Sequence, residues 1–334
     1  MHRHSLLIVA SLATSLLCAQ VADRINAEPE DLAKLSKRTL VVELPEPNQK
    51  VIDDFPKKSA SASTKAYKAS LDAYRARIEP SVKAYWKFNT NIEFKTTSEI
   101  VKLFAEKSNK YVALLKVVLP DGNGEPGCYT FGMGVPAIVL TRTDGDSKVT
   151  KKGELRLRNH DFQSYLVLEP DEDGTETYTE ASMKLTLELC QHYLDWNIHN
   201  KKTGTFMKYL KDMSEKNCSK LASKTLLVDS KGLYKKTTQA EVKEKYAHKM
   251  VFVERAELAS TYLAGGTDNA VLYSVPVGTI SGSMIVVTVT ALAYTKIVVD
   301  PSTSEVITAV VPGLGKSYVE GLVPADAKQL SKCE

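Results

Sequence analysis

The sequence predicts an α+β fold with two related domains, each a mixed sheet with helices mainly on one face plus an antiparallel meander. Two internal similarities support it. Residues 94–117 (FKTTSEIVKLFAEKSNKYVALLKV) align without a gap with residues 252–275 (FVERAELASTYLAGGTDNAVLYSV), 158 residues later. A similar apolar stretch precedes each block, RTLVVE at 38–43 and KTLLVD at 224–229, and these lie 186 residues apart. Each copy therefore has the order strand, helix, strand, helix, strand, which is typical of α/β layers.

The two offsets show that the copies differ in length. The first copy carries 28 extra residues between its first strand and the shared block. Most of this extra stretch is a predicted helix over residues 67–78, where apolar residues recur at helical spacing. We therefore expect the two domains to differ most at this helix.

Breaks in the pattern indicate the domain boundaries. We predict a first α/β domain over residues 36–170, in which the apolar run 111–119 is typical of a central strand covered on both faces. Helices over residues 176–213 bridge the copies, and a second α/β domain covers residues 223–313. Residues 314–334 are predicted to form a loosely tethered C-terminal tail.

The main bridging helix is predicted to end at His199 and to begin after Thr177 or Thr179, either of which can cap it. Its apolar residues surround most of its circumference instead of forming one stripe: Met183, Leu185, Leu187, Leu189, Cys190, Tyr193, Leu194, Trp196 and Ile198. A helix that is apolar on several sides is typically buried. We therefore expect a long buried helix that joins the two domains.

The N-terminus has the pattern of an export signal. Arg3 precedes a largely apolar run of twelve residues, 6–17, which is too short to span a bilayer as a helix. We predict a signal peptide over residues 1–22 and a periplasmic or secreted location. Cys18 raises the alternative of a lipid anchor, but bulky Leu17 precedes it, unlike the usual lipoprotein motif, and we favour a soluble exported protein.

Charge and cysteine content exclude some classes of protein. The net charge is +4 with acids and bases nearly balanced, which argues against binding to nucleic acid. No other segment is apolar enough to predict a transmembrane helix after signal cleavage. Four cysteines remain: Cys128, Cys190, Cys218 and Cys333. They allow three disulfide pairings, and none has the CxxC spacing of a redox or zinc motif.

One strip of side chains on the bridging helix could bind a metal. Glu188, His192, Asp195 and His199 are spaced by four, three and four residues, so they line one side of a helix, and all are metal-ligand types. The favoured interpretation is a solvent-exposed edge of a buried helix, flanked by Lys184 and Gln191. No HExxH motif is present, so we predict no cofactor and keep a divalent metal as a hypothesis.

Three stretches of the chain resemble a known class of proteins: the exported N-terminus, residues 225–258 (TLLVDSKGLYKKTTQAEVKEKYAHKMVFVERAEL) and residues 297–313 (IVVDPSTSEVITAVVPG). On these the chain resembles uncharacterised secreted or periplasmic proteins of Bacteroidota-type bacteria with a duplicated α/β domain. The resemblance implies export and the repeated fold, and it identifies no catalytic residues.

The functional prediction follows from export and repetition. We expect a non-catalytic binding or scaffolding protein of the cell envelope, whose partner is an envelope protein or a small ligand, because two domains create a cleft where ligands bind. No G-x-S-x-G motif is present and no catalytic residue is predicted. The alternatives are an envelope hydrolase with dispersed catalytic residues and a metal-binding protein that uses the bridging helix.

Overall fold

A computed structural model describes residues 18–19, 27–57, 60–120, 134–151, 153–158, 161–167, 178–284, 287–311 and 319–332. Most of the predicted signal peptide lies outside these residues, as do Cys128 and Cys333. In the part of the chain that the structure describes, no helix combines the length and the apolar character that a membrane crossing requires.

The described residues form the predicted α+β fold. In chain order the first half contains β1 (Cys18–Ala19), α1 (Pro29–Leu35), β2 (Thr39–Leu44), α2 (Gln49–Asp53), α3 (Ala60–Tyr85), β3 (Ile92–Thr96), α4 (Thr97–Glu106), β4 (Tyr111–Pro120), β5 (Gly134–Arg142), β6 (Lys148–Val149), β7 (Leu155–Arg156), β8 (Phe162–Val167) and α5 (Glu180–His199). The second half contains α6 (Phe206–Asn217), a 3-10 helix (Cys218–Ser223), β9 (Thr225–Asp229), α7 (Gln239–Lys245), β10 (Met250–Val253), α8 (Arg255–Ala264), β11 (Asn269–Met284), β12 (Val287–Val299), β13 (Val306–Val310) and α9 (Pro324–Leu330).

Each half contains one large mixed sheet. The first sheet has the strand order β3-β2-β4-β5-β8, and the second has the order β10-β9-β11-β12-β13, with β1 paired to β11. In both sheets the first three strands of the order are parallel and the remaining pairs are antiparallel. The two sheets therefore have the same order and the same strand directions.

The two sheets also agree in register. Thr39 is paired with Tyr111 in the first sheet, and Thr225 is paired with Asn269 in the second. These pairs reproduce the sequence offsets of 186 and 158 residues. A register irregularity follows Leu140 in β5 and Val298 in β12, again 158 residues apart. The sequence alignment therefore predicts the strand register, while an origin by duplication stays a prediction.

The main difference between the halves lies at the helix after the first strand. Helix α3 has 26 residues, whereas α7, which holds the same place in the second half, has seven. In the first part of α3, Tyr67 and Leu71 pack with Val51 of α2 in a small cluster separate from the main core. The described part of the extra stretch is thus mainly helical, in α2 and α3.

Helix α5 is buried between the two sheets, as the sequence predicts. Met183, Leu187 and Leu194 are fully buried in one cluster that also contains strand residues of both sheets, among them Leu114 and Val271. In the order of elements, α5 follows β8 as α9 follows β13. The joining helix is therefore also the last element of the first half.

The expected loose tail is wrong for most of its length. Residues 319–332 run along the second sheet, and Leu322, Ala327 and Leu330 are buried in the cluster beneath α7 and α9. Helix α9 has only seven residues, and Pro324 stands at its first turn. The helix contributes only Ala327 and Leu330 to this cluster, which is too few apolar residues to form a periodic pattern and explains why the sequence did not reveal it.

Two corresponding helices end in a left-handed residue. Helix α4 ends at Lys107 with φ 49°, and α8 ends at Gly265 with φ 71°, 158 residues later. Glycine adopts this backbone conformation without the steric conflict that a Cβ atom introduces. The same helix end is therefore relaxed in the second half and strained in the first.

We expect Lys107→Gly to raise the free energy of unfolding by about 1 kcal/mol, because glycine relieves the left-handed strain at the end of α4. Urea unfolding of both proteins measures the change. The matched control is Lys102→Gly inside α4, which we expect to lower the stability by about 1 kcal/mol. Equal effects of the two substitutions would contradict the strain at Lys107.

Candidate functional site

The predicted metal strip lies where α5 meets the second half. The Glu188 carboxylate accepts hydrogen bonds from the hydroxyls of Ser304 and, at 3.5 Å, Tyr262. Nε2 of His192 is 3.0 Å from the carbonyl oxygen of Thr303. Glu188 and His192 therefore contact the turn between β12 and β13 and dock α5 against it.

The other two members of the strip do not complete a metal site. Nδ1 of His199 is 2.7 Å from the backbone oxygen of Asp195, one turn earlier in the same helix. Burial raises the pKa of Asp195, although the nearby His192 and His199 oppose this shift. Among the described residues, no three His, Cys, Asp or Glu side chains are grouped so that they could hold an ion. Metal binding by the strip stays a hypothesis.

We expected Lys184 to lie on a solvent-exposed edge of the helix, but the residue is buried. Only 8% of this residue is exposed, and Nζ donates to the backbone oxygens of Tyr262 at 3.1 Å and Pro301 at 3.3 Å. The ammonium also lies 4.4 Å from the centroid of the Tyr262 ring. The ammonium of Lys184 and the carboxylate of Glu188 are thus held by one small region of the second half, which we name the docking seam.

A second group of polar residues lies at the point where the strand order reverses. In the order β3-β2-β4 the chain moves first to one side of β2 and then to the other. In open α/β sheets with this order, ligands bind at the carboxyl ends of the strands flanking that point. Glu43 lies near the carboxyl end of β2, and Asp229 ends β9 in the second sheet. Both sheets thus present a carboxylate there.

Each sheet carries a buried lysine at a corresponding position. In the first sheet Lys116 of β4 is paired with Ile138 of β5. In the second sheet the corresponding pair is Ser274 of β11 and Lys296 of β12. Lys116 is 3% exposed and Lys296 is 2% exposed. Each sheet therefore has one buried lysine in the corresponding cross-strand pair. The lysine is on β4 in the first sheet and on β12 in the second.

Lys116 lies among two aromatic rings and a carboxylate. Its Nζ is 5.6 Å from the ring centroid of Tyr74 and 5.0 Å from that of Tyr178. Glu43 accepts hydrogen bonds from the backbone N–H of Lys116 at 3.1 Å and from the hydroxyl of Thr97 at 2.7 Å. We name Glu43, Tyr74, Lys116 and Tyr178 the lysine–tyrosine site.

The hydroxyl of Tyr74 is the unusual group of this site. It is buried and has no hydrogen-bond partner among the residues that the structure describes. Burial raises the pKa of Tyr74 well above its ordinary value, and the charge of Glu43 raises it further. The hydroxyl therefore stays protonated and can donate a hydrogen bond to a ligand oxygen beside Lys116.

The second lysine donates a hydrogen bond to a backbone oxygen of a later segment of the chain. Nζ of Lys296 donates to the backbone oxygen of Val319, and the hydroxyl of Ser274 donates to that of Glu320. Burial lowers the pKa of Lys296 to about 8, although Asp326 and Glu320 oppose the shift. We name residues 319–322, which carry these carbonyl groups, the strap.

Sequence reasoning missed this pair of sites although a signal was present. Lys116 stands inside the apolar run YVALLKVVL, and Lys296 stands inside ALAYTKIVV. A lysine within a strand that is covered on both faces is rare unless it has a partner. The partners could not be identified, because Glu43, Tyr74 and Tyr178 are far from Lys116 in sequence.

Comparison of the chain with protein-family models, with curated proteins and with solved structures found no match. The features that the two sheets have in common indicate which residues could form a site. The two sheets share strand order, register, a carboxylate near the carboxyl end of β2 or β9, and a buried lysine at one cross-strand pair. They differ in the groups that surround the lysine.

We expect Glu188→Ala to lower the free energy of unfolding by about 1–3 kcal/mol, because the substitution removes the carboxylate that accepts from the buried hydroxyl of Ser304, while the hydroxyl of Tyr262 keeps its 2.6 Å contact with Ser304. His199→Ala is the control and should change the stability by less than about 0.5 kcal/mol, since its ring is exposed and its Nδ1 lies against the backbone oxygen of Asp195 in its own helix. Zinc content of both variants is measured in parallel. Loss of bound zinc from His199→Ala would support the metal hypothesis over docking.

Proposed function

We propose that the chain is an exported cell-envelope protein that binds, without catalysis, a ligand presenting a carbonyl or carboxylate oxygen to Lys116. The observation that carries this proposal is the buried lysine at the same ladder pair of both sheets. A lysine buried by chance is unfavourable, because its ammonium loses its hydration. Two such lysines at corresponding places support a shared role in holding an oxygen atom.

The second sheet indicates the chemistry of the ligand. There the lysine holds a peptide carbonyl oxygen, that of Val319, and the adjacent serine holds the next carbonyl oxygen. An extended peptide or another compound with an amide group is therefore the ligand class that we propose for Lys116. The hydroxyl of Tyr74 supplies a second donor beside it.

The surroundings of Lys116 favour binding over covalent chemistry. Aromatic rings at 5.0 and 5.6 Å attract the ammonium form through cation–π interactions. An ammonium donates hydrogen bonds but is neither a nucleophile nor a base. This supports a role for Lys116 in holding a ligand.

Two features support export. The apolar run at residues 6–17 has the pattern of a signal peptide. Cys218 is disulfide-bonded, whereas Cys190 is a buried thiol outside that bond. The partner of Cys218 lies outside the side chains that the structure describes. Because disulfides persist mainly in oxidising compartments, the bond supports a periplasmic or secreted location, with a lipid anchor at Cys18 as the minor alternative.

We expect Tyr74→Phe to separate stability from binding. Removing a buried hydroxyl that has no partner should raise the free energy of unfolding by about 1 kcal/mol, and the loss of a donor should weaken ligand binding by roughly five-fold. Urea unfolding and titration calorimetry with the peptide acetyl-Val-Glu-Gly-Leu-Val-amide measure the two effects. This peptide reproduces residues 319–323.

The control is Tyr193→Phe, which removes a hydroxyl that donates to the backbone oxygen of Gly204 at 2.6 Å. It should lower the stability by about 1 kcal/mol and leave the peptide affinity unchanged. Lys116→Met should weaken binding by more than about ten-fold, because the main donor is removed. Unchanged peptide affinity in both Tyr74→Phe and Lys116→Met would refute the proposed site.

A further inference from the structure

We propose that the second sheet contains a second binding site for an extended peptide and that the strap, residues 319–322, occupies this site as a displaceable internal ligand. The proposed function supplies the chemistry of the lysine, and the contacts of the strap supply the rest. These contacts are fully within the described residues and involve a different lysine, so the two sites can be tested separately.

The strap is held through its backbone. Besides the bonds from Lys296 and Ser274, the N–H of Leu322 donates to the oxygen of Gly232 at 2.8 Å, and the N–H of Tyr234 donates to the oxygen of Leu322 at 3.2 Å. Leu322 and Leu233 form a parallel β-bridge. Recognition through main-chain groups is the mode by which proteins bind extended peptides at a sheet edge. Any peptide that presents the same groups can make these bonds.

Two side-chain positions define which peptides fit. A Cβ atom on Gly321 would lie 2.4 Å from the backbone nitrogen of Tyr234, so only glycine is tolerated without a shift of the chain. The next residue, Leu322, is fully buried, whereas Glu320 is exposed. The site therefore selects an extended peptide with glycine followed by a large apolar residue, and it accepts a polar residue before the glycine.

Charge at the site favours a carbonyl occupant. The groups that act electrostatically on Lys296 are Asp326 at the start of α9 and Glu320 of the strap itself. Because Asp326 already supplies a carboxylate within α9, the lysine needs a neutral acceptor more than a second anion. The carbonyl oxygen of Val319 is such an acceptor, and a peptide that replaces the strap would offer the same group.

The strap has an advantage over a free peptide because it is tethered to the site. A segment tethered to its own site acts at an effective concentration on the order of millimolar, so a free peptide displaces it only when it binds tightly or when the strap is weakened. Helix α9, which follows the strap, has an anchor of its own, because it packs on the second sheet through Ala327 and Leu330. Weakening the strap should thus leave the fold intact.

The experiment uses the full mature chain with Gly321→Val, which forces the strap away from Tyr234. Hydrogen exchange at the amides of Leu322 and Tyr234 reports release of the strap, and exchange in β9 and β12 reports the integrity of the sheet. Calorimetry with acetyl-Val-Glu-Gly-Leu-Val-amide then counts binding sites. We expect one peptide per wild-type chain, at Lys116, and two per Gly321→Val chain.

Second substitutions assign the sites. Lys296→Met in the Gly321→Val chain should remove the additional site, and Lys116→Met in the same chain should leave it in place. If the proposed function fails while this inference holds, the wild type binds no peptide and Gly321→Val binds one. A peptide with valine in place of glycine should bind the second site at least about ten-fold more weakly, because it meets the same steric conflict.

Two results would overturn the inference. One is a Gly321→Val chain whose strap amides exchange freely but that binds no more peptide than the wild type. The other is a strap that stays protected from exchange both in Gly321→Val and in Gly321→Val with Ser274→Ala, because it would then be a fixed part of the core and not a displaceable ligand.

Discussion

The burial of α5 constrains the whole structure, because a helix enclosed by two sheets must satisfy every polar group that it carries. Lys184 and Glu188 reach the second half through the docking seam. Gln191 contacts the first half. Its side-chain nitrogen donates to the backbone oxygen of Tyr85 at 2.9 Å, and its side-chain oxygen accepts from the N–H of Phe88 at 3.0 Å. Separating the halves would leave Lys184 and Glu188 without these partners in an apolar surface, so we expect the halves to unfold together.

The two halves use corresponding surfaces in different ways. In the second half, Leu258 and Tyr262 of α8 join the cluster around α5. In the first half the corresponding helix is α4, and Ile100 and Phe104 are covered by residues of the β6-β7 hairpin, with Leu155 and Leu157 in the same cluster. At the opposite end α7 and α9 cover the second sheet. As in repeat proteins, elements at the two ends shield surfaces that a further repeat would otherwise cover.

The sequence predicted local and repeated features better than contacts between distant segments. Alignment of the blocks that begin at Phe94 and Phe252 predicted the repeated order of strands and helices, and the parallel strands of the two sheets have corresponding registers. The apolar circumference of α5 predicted its burial. The partners of Lys184 could not be predicted, since a lysine beside a buried strip looks the same whether it reaches water or a carbonyl oxygen. The strap was missed because it is held by backbone groups, which leave no trace in the sequence.

The exchange of a lysine between neighbouring strands has a consequence for how such sites are recognised. Compared position by position, Lys116 aligns with Ser274 and Ile138 aligns with Lys296, so the two halves show two mismatches and no common residue. When the cross-strand pairs are compared instead, the pair in each half contains one lysine, so both pairs carry the same charged group. Side chains of a pair occupy one patch of the sheet, so either strand can supply the ammonium to the same volume. What the two halves have in common here is one lysine in each cross-strand pair, so a sequence search that compares pairs of positions can detect a similarity that single positions hide.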